Sequence, residues 1–243
     1  MGRLAGKIAL VTGGTRGIGA GIVRAFVGEG ATVAFSGASR PSVEKSNQAG
    51  AEGFVADLAD ANAPERLIDA VVQRFGGLDV LVNNAGVGSR ASEWELTPEE
   101  WDRVHAVNLR AVFFLSREAA KSMRGRGAGS IINISSIAGQ NGGIAGSPAY
   151  ASSKGAVITL TRSLSRRFAP HRIRVNCLSP ADIETDMTAA WPVELRERLI
   201  GITPLARFGA VDEVTGAAVF FASDESTYVT GQTLSINGGA FMN

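Results

Sequence analysis

Short apolar runs alternate along the chain with longer segments in which apolar residues recur at helical spacing. The short runs are too brief for helices and predict buried strands at 7–11, 32–36, 54–58, 78–82, 130–135, 173–178 and 232–236. The longer segments predict helices at 20–29, 64–75, 97–123, 150–168 and 211–222. This alternation predicts an α/β fold, a doubly wound sheet of about seven parallel strands with helices on both faces. We expect a single domain over residues 1–243, with its site at the carboxyl ends of the strands.

Three segments stand outside this alternation. Residues 125–129 and 139–147 are rich in glycine and predict loops. The stretch 188–210 carries one short helical pattern between Pro192 and Pro204. A segment of this kind between strands is a candidate lid over a substrate site.

Composition places the chain among globular proteins. Apolar residues make up 45% of the chain and charged residues 19%, which excludes a largely disordered protein. The 24 lysines and arginines nearly balance the 23 acidic residues, and no basic cluster argues for a nucleic-acid or membrane partner. The single cysteine, Cys177, lies in an apolar run and predicts a buried thiol.

The first residues lead into a strand without a long apolar leader, and no run approaches ~18 apolar residues. We therefore expect a cytoplasmic protein. His105 and His171 lie outside any metal-ligand spacing, so we expect surface or helix-end roles for them and no bound metal.

A glycine-rich motif follows the first predicted strand. Residues 12–19 read Thr-Gly-Gly-Thr-Arg-Gly-Ile-Gly, and a helix comes next. A strand, a glycine turn and a helix in this order place a phosphate group at a helix amino terminus, where free backbone N–H groups favour an anion. The motif predicts dinucleotide binding in a Rossmann-type fold, although its GxxxGxG spacing differs from GxGxxG. The alternative is a plain glycine-rich turn.

The second predicted strand does not end in the acid that would repel a 2′-phosphate on the cofactor. The hydroxyls of Ser36 and Ser39 stand there with Arg40, and Arg16 projects from the glycine turn. Hydroxyl groups and guanidinium groups suit a phosphate, so the sequence favours NADP(H) over NAD(H). The alternative is that Arg16 and Arg40 are solvated surface cations.

Tyr150 and Lys154 stand four residues apart at the start of a predicted helix and so share one face. At ~4 Å and an effective dielectric of ~20, an ammonium favours a phenolate by about 4 kcal/mol. We therefore expect the pKa of Tyr150 to fall from about 10 towards 7, where the phenol can exchange protons with a substrate. The alternative is an ordinary surface pair.

Several motifs together resemble the short-chain dehydrogenase/reductase family over residues 7–239. They are the glycine motif at 12–19, Asn83-Asn84-Ala85-Gly86, Asn108, Ser136, and Tyr150 with Lys154. Asn108 is a poor helix former within a predicted helix, and we expect it to back-bond or to bend that helix. Residues 204–207 and 229–231 are most similar to the family's 3-oxoacyl-(acyl-carrier-protein) reductases and related carbonyl reductases. The resemblance implies an oxidoreductase that transfers a hydride between a nicotinamide and a carbonyl or secondary alcohol.

The resemblance also implies a role for each matching residue. Ser136 would polarise the substrate carbonyl, and Tyr150 would deliver a proton to its oxygen. Lys154 would lower the pKa of Tyr150 and bind the nicotinamide ribose, and Asn108 would support a water chain that resupplies the proton. The expected cofactor contacts are Gly13, Thr15, Arg16, Gly17, Ile18, Ser36, Ser39, Arg40, Asp57, Leu58, Asn84, Ala85, Gly86, Tyr150, Lys154, Pro180, Ala181, Ile183 and Thr185.

The chain departs from the family pattern at three positions. Ala181 stands where glycine is usual, and it is followed by an unusual acid, Asp182. A glycine needed for a positive φ would make Ala181 costly, and Asp182 would place a charge near the nicotinamide or the lid. Asn237 stands where an aspartate is common, and we expect no effect from it.

The resemblance further implies a homotetramer and a small-molecule substrate, first of all a 3-oxoacyl thioester carried by an acyl-carrier protein. Four basic residues fall in stretches that resemble a carrier-docking surface, but a solvated basic face explains them as well: Arg124, Arg126, His171 and Arg172. One alternative function is an NAD(H)-dependent dehydrogenase of a small alcohol, sugar or hydroxysteroid. The other is a dinucleotide-binding scaffold without turnover, against which intact Ser136, Tyr150 and Lys154 argue.

Overall fold

The computed structural model describes residues 2–46, 48–89, 91–144 and 146–242, apart from the side chain of Met187. Its strands are β1 Ile8–Val11, β2 Thr32–Gly37, β3 Ala51–Val55, β4 Val80–Asn83, β5 Gly129–Ile134, β6 Ile173–Pro180 and β7 Thr233–Ile236. They form one sheet in the order β3-β2-β1-β4-β5-β6-β7, and each neighbouring pair is parallel. The predicted seven-stranded, doubly wound parallel sheet is confirmed.

Helices cover both faces of the sheet. They are α1 Gly17–Gly28, α2 Arg40–Lys45, α3 Ala63–Phe75, α4 Pro98–His105, α5 Ala111–Arg126, α6 Ala138–Asn141, α7 Pro148–Phe168, α8 Asp186–Ala189, α9 Val193–Ile202 and α10 Val211–Ala222. A π-helical turn, Ala106–Arg110, joins α4 to α5, and 3₁₀ turns lie at Ala169–His171 and Asp224–Ser226. No helix in the described part of the chain is long and apolar enough to cross a membrane.

Both faces of the sheet are buried, which explains why the strands read as continuous apolar runs. On one face, Leu10, Leu81 and Ile131 pack under α3, α5 and α7. On the other face, their neighbours Val11 and Val82 pack under α1 and α10. The thiol of Cys177 is also fully buried, as predicted, and burial raises its pKa to about 11.

Several predicted boundaries were wrong, among them those of β3, of α5 and of the loop before α7. Strand β3 lies three residues earlier than the predicted 54–58, because β2 pairs with Ala51–Val55 and the carboxylate of Asp57 then turns the chain by accepting the N–H of Ala59 at 3.0 Å. Helix α5 continues through Arg126, and Gly127, with a φ of 88°, ends it inside the predicted loop. The predicted loop at 139–147 contains most of the short helix α6.

Candidate active site

The glycine turn lies at the carboxyl end of β1, where the strand order reverses between β1 and β4. Gly13 has a φ of 64°, and a Cβ added at Gly19 would lie 2.2 Å from the carbonyl oxygen of Gly13. Only glycine therefore allows the turn to close onto the first residues of α1. The N–H groups in the first turn of a helix can bind a phosphate group.

Two side chains hold this turn against the end of β4. Thr12 Oγ1 accepts the N–H groups of Asn84 and Ala85, each at 3.1 Å. Asn84 Nδ2 donates to the carbonyls of Thr12 and Gly13 at 2.9 and 3.1 Å. Asn84 thus braces the glycine turn, and sequence reasoning missed the same role for Thr12.

Asn108 connects the loop after β4 to α7. Its Oδ1 accepts the N–H of Val87 at 2.8 Å, and its Nδ2 donates to the carbonyl of Val87 at 2.9 Å and to Ser153 Oγ at 3.1 Å. The residue lies in the π-helical turn and is fully buried. A Cβ added at Gly86 would lie 3.3 Å from Lys154 Nζ and 3.4 Å from Asn108 Oδ1, so this loop passes directly over both side chains.

Ser136, Tyr150 and Lys154 come together at the ends of β5 and α7. Ser147 caps α7 by accepting the N–H of Tyr150 at 3.4 Å. Lys154 Nζ lies 5.8 Å from the centre of the Tyr150 ring and donates to the carbonyl of Ile134 at 2.8 Å. Ser136 forms a side-chain hydrogen bond with Tyr150. The shared face that the sequence predicted for Tyr150 and Lys154 is therefore present.

The predicted fall in the pKa of Tyr150 was wrong. Burial raises the pKa of this phenol, and the hydrogen bond with Ser136 only partly opposes the rise. The ammonium of Lys154, 5.8 Å from the centre of the ring and bonded to a backbone carbonyl, does not overcome this rise. Burial also lowers the pKa of Lys154 to about 8, so this ammonium loses its proton more readily than an ordinary lysine does. The site therefore keeps Tyr150 protonated at neutral pH.

The residues expected around the adenosine end occupy different environments. Arg16 is exposed at the start of α1, and Arg40 is exposed beside Glu44 at 3.9 Å. Ser39 comes just before α2, and its carbonyl accepts from Ser42 Oγ at 2.7 Å. Ser36 is buried within β2, where its carbonyl accepts the N–H of Gly14 at 3.0 Å, so it braces the glycine turn.

Farther along this edge, Asp57 is exposed, whereas the side chain of Leu58 is buried in the core. Thr15 lies against the end of β2, since a Cβ added at Gly37 would lie 2.7 Å from its Cγ2. Ile18 is partly buried and packs against the core beneath α1.

The residues expected around the nicotinamide end follow β6. A Cβ added at Gly17 would lie 3.6 Å from Thr185 Cγ2, so the glycine turn and this segment are neighbours. Ile183 is buried in the core. The carbonyl of Pro180 accepts the N–H of Ile137 at 2.8 Å. Ala181 has an ordinary negative φ, so the replacement of the usual glycine introduces no backbone strain.

A partly buried polar cluster around the short helix that follows Ser136 was missed. Gln140 Oε1 accepts from Ser179 Oγ at 2.8 Å and from Ser235 Oγ at 3.3 Å. It thereby ties α6, which follows Ser136, to the ends of β6 and β7. Polar residues inside otherwise apolar strand runs, such as Ser179, were the available signal.

The basic residues proposed as a docking surface lie away from these side chains. Arg124 and Arg126 end α5, and His171 and Arg172 precede β6, so all four are at the amino-terminal edge of the sheet. Arg126 also pairs with Asp79 at 2.7 Å. A carrier bound at this edge would not lie at the site of the same chain.

Comparison with known proteins gives consistent matches. A family model described as enoyl-(acyl carrier protein) reductase matches residues 13–240. A Thermotoga maritima protein named 3-oxoacyl-(acyl-carrier-protein) reductase FabG is 40% identical over 98% of both chains. A Mediterraneibacter gnavus protein named 3alpha-hydroxysteroid dehydrogenase is 39% identical over 98% of both chains. A crystal structure of a Sinorhizobium meliloti protein assigned to the short-chain alcohol dehydrogenases is 33% identical, with a TM-score of 0.90 over 98% of this chain and 97% of that one.

Proposed function

The chain belongs to the short-chain dehydrogenase/reductase family, as an oxidoreductase of carbonyl and hydroxyl groups, and from this premise we propose that it reduces a 3-oxoacyl thioester or a related ketone with NADPH. One observation carries the proposal. Ser136, Tyr150 and Lys154 converge at the same edge of the sheet as the glycine turn, so an acid and a cofactor-binding surface face one space.

The residues present fit a dinucleotide. At Gly13 and Gly19 the turn packs too closely for a Cβ, and this close packing sets the position of the backbone N–H groups at the start of α1, where a diphosphate would bind. Asn84 and Thr12 hold that surface in place. When bound, the nicotinamide supplies the hydride. Arg16 and Arg40 are exposed cations that suit a 2′-phosphate, and this is our reason for choosing NADPH over NADH.

The side chains of the site perform the proton transfer in the proposed mechanism. Tyr150, kept protonated by burial, donates its proton to the substrate oxygen as negative charge develops there. Ser136 donates a hydrogen bond to the same oxygen and keeps the phenol oriented. The ammonium of Lys154, beneath the ring, stabilises the phenolate that remains after the transfer. Asn108 holds the loop that passes over Lys154 and so keeps this arrangement closed.

The segment 188–210 is our candidate for a substrate lid. Arg196 Nη1 donates to the carbonyl of Thr188 at 2.9 Å, which joins α9 to α8. Val193, Ile202 and Leu205 on this segment are exposed apolar side chains. Apolar side chains on a lid suit an acyl chain or another apolar substrate body.

The partner proposals are a homotetramer and an acyl-carrier protein. In a tetramer, a carrier that docks on Arg124 or Arg172 would serve the site of a neighbouring subunit, since these residues are remote from the site of their own chain. Sedimentation of the pure protein tests the first proposal, and a tetramer is the expected result.

Turnover assays test the proposed function. We expect the purified protein to oxidise NADPH with acetoacetyl thioesters or simple ketones, and to do so less well with NADH. A second candidate, oxidation of a hydroxysteroid with NAD, is favoured by the hydroxysteroid dehydrogenase among the relatives. Turnover of a steroid with NAD and none with ketones would support this second candidate. Tight NADPH binding without reduction of any carbonyl compound would support a scaffold.

A further inference from the structure

Asp182 is an acidic residue near the proposed catalytic side chains, and its carboxylate has no structural role in the described part of the fold. It follows Pro180 and Ala181 at the end of β6. Within the described residues its carboxylate forms no hydrogen bond and no ion pair, and only burial acts on its pKa. Its backbone is nevertheless held in place, because its carbonyl accepts the N–H of Gly209 at 2.9 Å.

The other acids with a shifted pKa behave in the opposite way. The pKa of Glu29 is lowered by Arg3, and that of Glu213 is lowered to about 2 by Arg207. Half-buried Asp182 has its pKa raised instead. A partly desolvated carboxylate without a partner costs free energy that a donor or cation arriving with a ligand would offset.

The backbone places Asp182 beside the proposed reacting centre. Strands β5 and β6 are paired with Ile134 opposite Leu178, and the N–H of Ile137 reaches the carbonyl of Pro180 at 2.8 Å. Ser136 is therefore adjacent to Pro180. The two residues from Pro180 to Asp182 span at most roughly 7 Å, so the backbone of Asp182 lies at the rim of the same site.

We propose that Asp182 selects the substrate by accepting a hydrogen bond from a hydroxyl, ammonium or similar donor group next to the reacting carbonyl. This inference rests on the proposed carbonyl reduction and narrows its substrate class. Among 3-oxoacyl thioesters and simple ketones, it favours those with such a group over those with a plain alkyl chain. Substrates without a donor leave the carboxylate unpaired, and anionic substrates are repelled by it.

A set of three ketones tests this selection. Each contains a 2-butanone unit and carries a dimethylammonio, hydroxyl or methyl group at C1. They are assayed with NADPH and the full chain, as wild type, Asp182→Asn and Asp186→Asn. The last variant is a control that makes the same change at an exposed acid farther along the chain. NADPH binding is measured for each variant to show that it is folded.

For the wild type we expect kcat/KM to be about tenfold or more higher for the cationic ketone than for the methyl ketone, with the difference in KM. Asp182→Asn removes most of this preference and leaves the methyl ketone unchanged or improved, and Asp186→Asn retains the preference. An unchanged preference in Asp182→Asn, or an equal loss on all three ketones, overturns the inference. If the wild type reduces none of them and no 3-oxoacyl thioester, carbonyl reduction itself fails, and the inference fails with it.

Discussion

At the scale of single residues, Lys154 donates to the carbonyl of Ile134 beneath the ring of Tyr150. Lys154 is buried and Tyr150 is half-buried. The sequence correctly placed the two residues on one face of a helix. It predicted the wrong direction for the pKa of Tyr150, because burial depends on elements that are distant in the chain. The spacing of two residues fixes their neighbourhood, whereas their pKa values depend on everything packed around them.

The lowered pKa of Lys154 predicts a pH dependence. The value of kcat/KM for NADPH reports groups of the free enzyme. We expect it to fall as pH rises through about 8, because Lys154 then loses the charge that stabilises the phenolate. Initial rates of ketone reduction between pH 6 and 10 provide the measurement. A profile that stays flat to pH 10 would contradict the assigned role of Lys154.

The same burial predicts that Lys154 reduces stability. The pKa of Lys154 is about 8 in the folded chain and 10.5 ordinarily, so below pH 8 the folded state bears the full cost of burying the ammonium. The cost is relieved between these values, where the unfolded state binds more protons. After allowance for the lost bond to Ile134, we expect Lys154→Met to raise the free energy of unfolding at pH 7 by about 2 kcal/mol.

Urea unfolding at pH 7 and pH 10 provides the measurement for Lys154→Met. As Lys154 loses its charge, the free energy of unfolding of the wild type should gain a contribution between pH 8 and 10.5. The variant should lack that gain. A variant less stable than wild type at pH 7 would show that Lys154 contributes to stability.

At the scale of elements, the π-helical turn at Ala106–Arg110 places one side chain where a regular helix would not. The sequence marked Asn108 as a poor helix former and predicted a bend there. It did not reveal the partner, because Val87 lies in a loop whose course depends on the order of the strands. Strand β3 was misplaced for a similar reason, since its register is set by pairing with β2.

Asn108→Ala tests this element. The change leaves the N–H and carbonyl of Val87 without their partner in a closed loop, so we expect a loss of about 2–3 kcal/mol in the free energy of unfolding. NADPH affinity should also weaken, because the loop beside Lys154 is released. Urea unfolding and NADPH titration provide the measurements. The control is Asn141→Ala, which removes one exposed turn contact to Gly143, and equal losses in both variants would contradict the bracing role.

At the scale of the whole molecule, the strand order brings together segments far apart in the chain. The glycine turn meets the end of β2 on one side and Thr185 on the other. The alternation of strands and helices was sufficient to predict this architecture. This alternation could not show that Ser36 is buried or that Gln140 ties α6 to the end of β6. Both features depend on how the elements pack.

The proposed determinants of cofactor choice lie on different elements, since Arg16 precedes α1 and Arg40 begins α2. We expect Arg16→Gln to raise KM for NADPH by about tenfold or more and to leave KM for NADH within about twofold, since only NADPH carries the 2′-phosphate. Steady-state kinetics with both cofactors provide the measurement. Arg24→Gln, at an exposed position farther along α1, is the control. Equal effects of Arg16→Gln on both cofactors would contradict the phosphate contact.

In the proposed mechanism, the phenol of Tyr150 gives its proton to the substrate oxygen. The most direct measurement compares wild type with Tyr150→Phe for kcat and for NADPH affinity, with the exposed Tyr228→Phe as a control. We predict that Tyr150→Phe lowers kcat by about 10²–10⁴-fold and keeps NADPH affinity and the free energy of unfolding close to those of wild type. A Tyr150→Phe variant that turns over ketones at nearly the wild-type rate would contradict the claim.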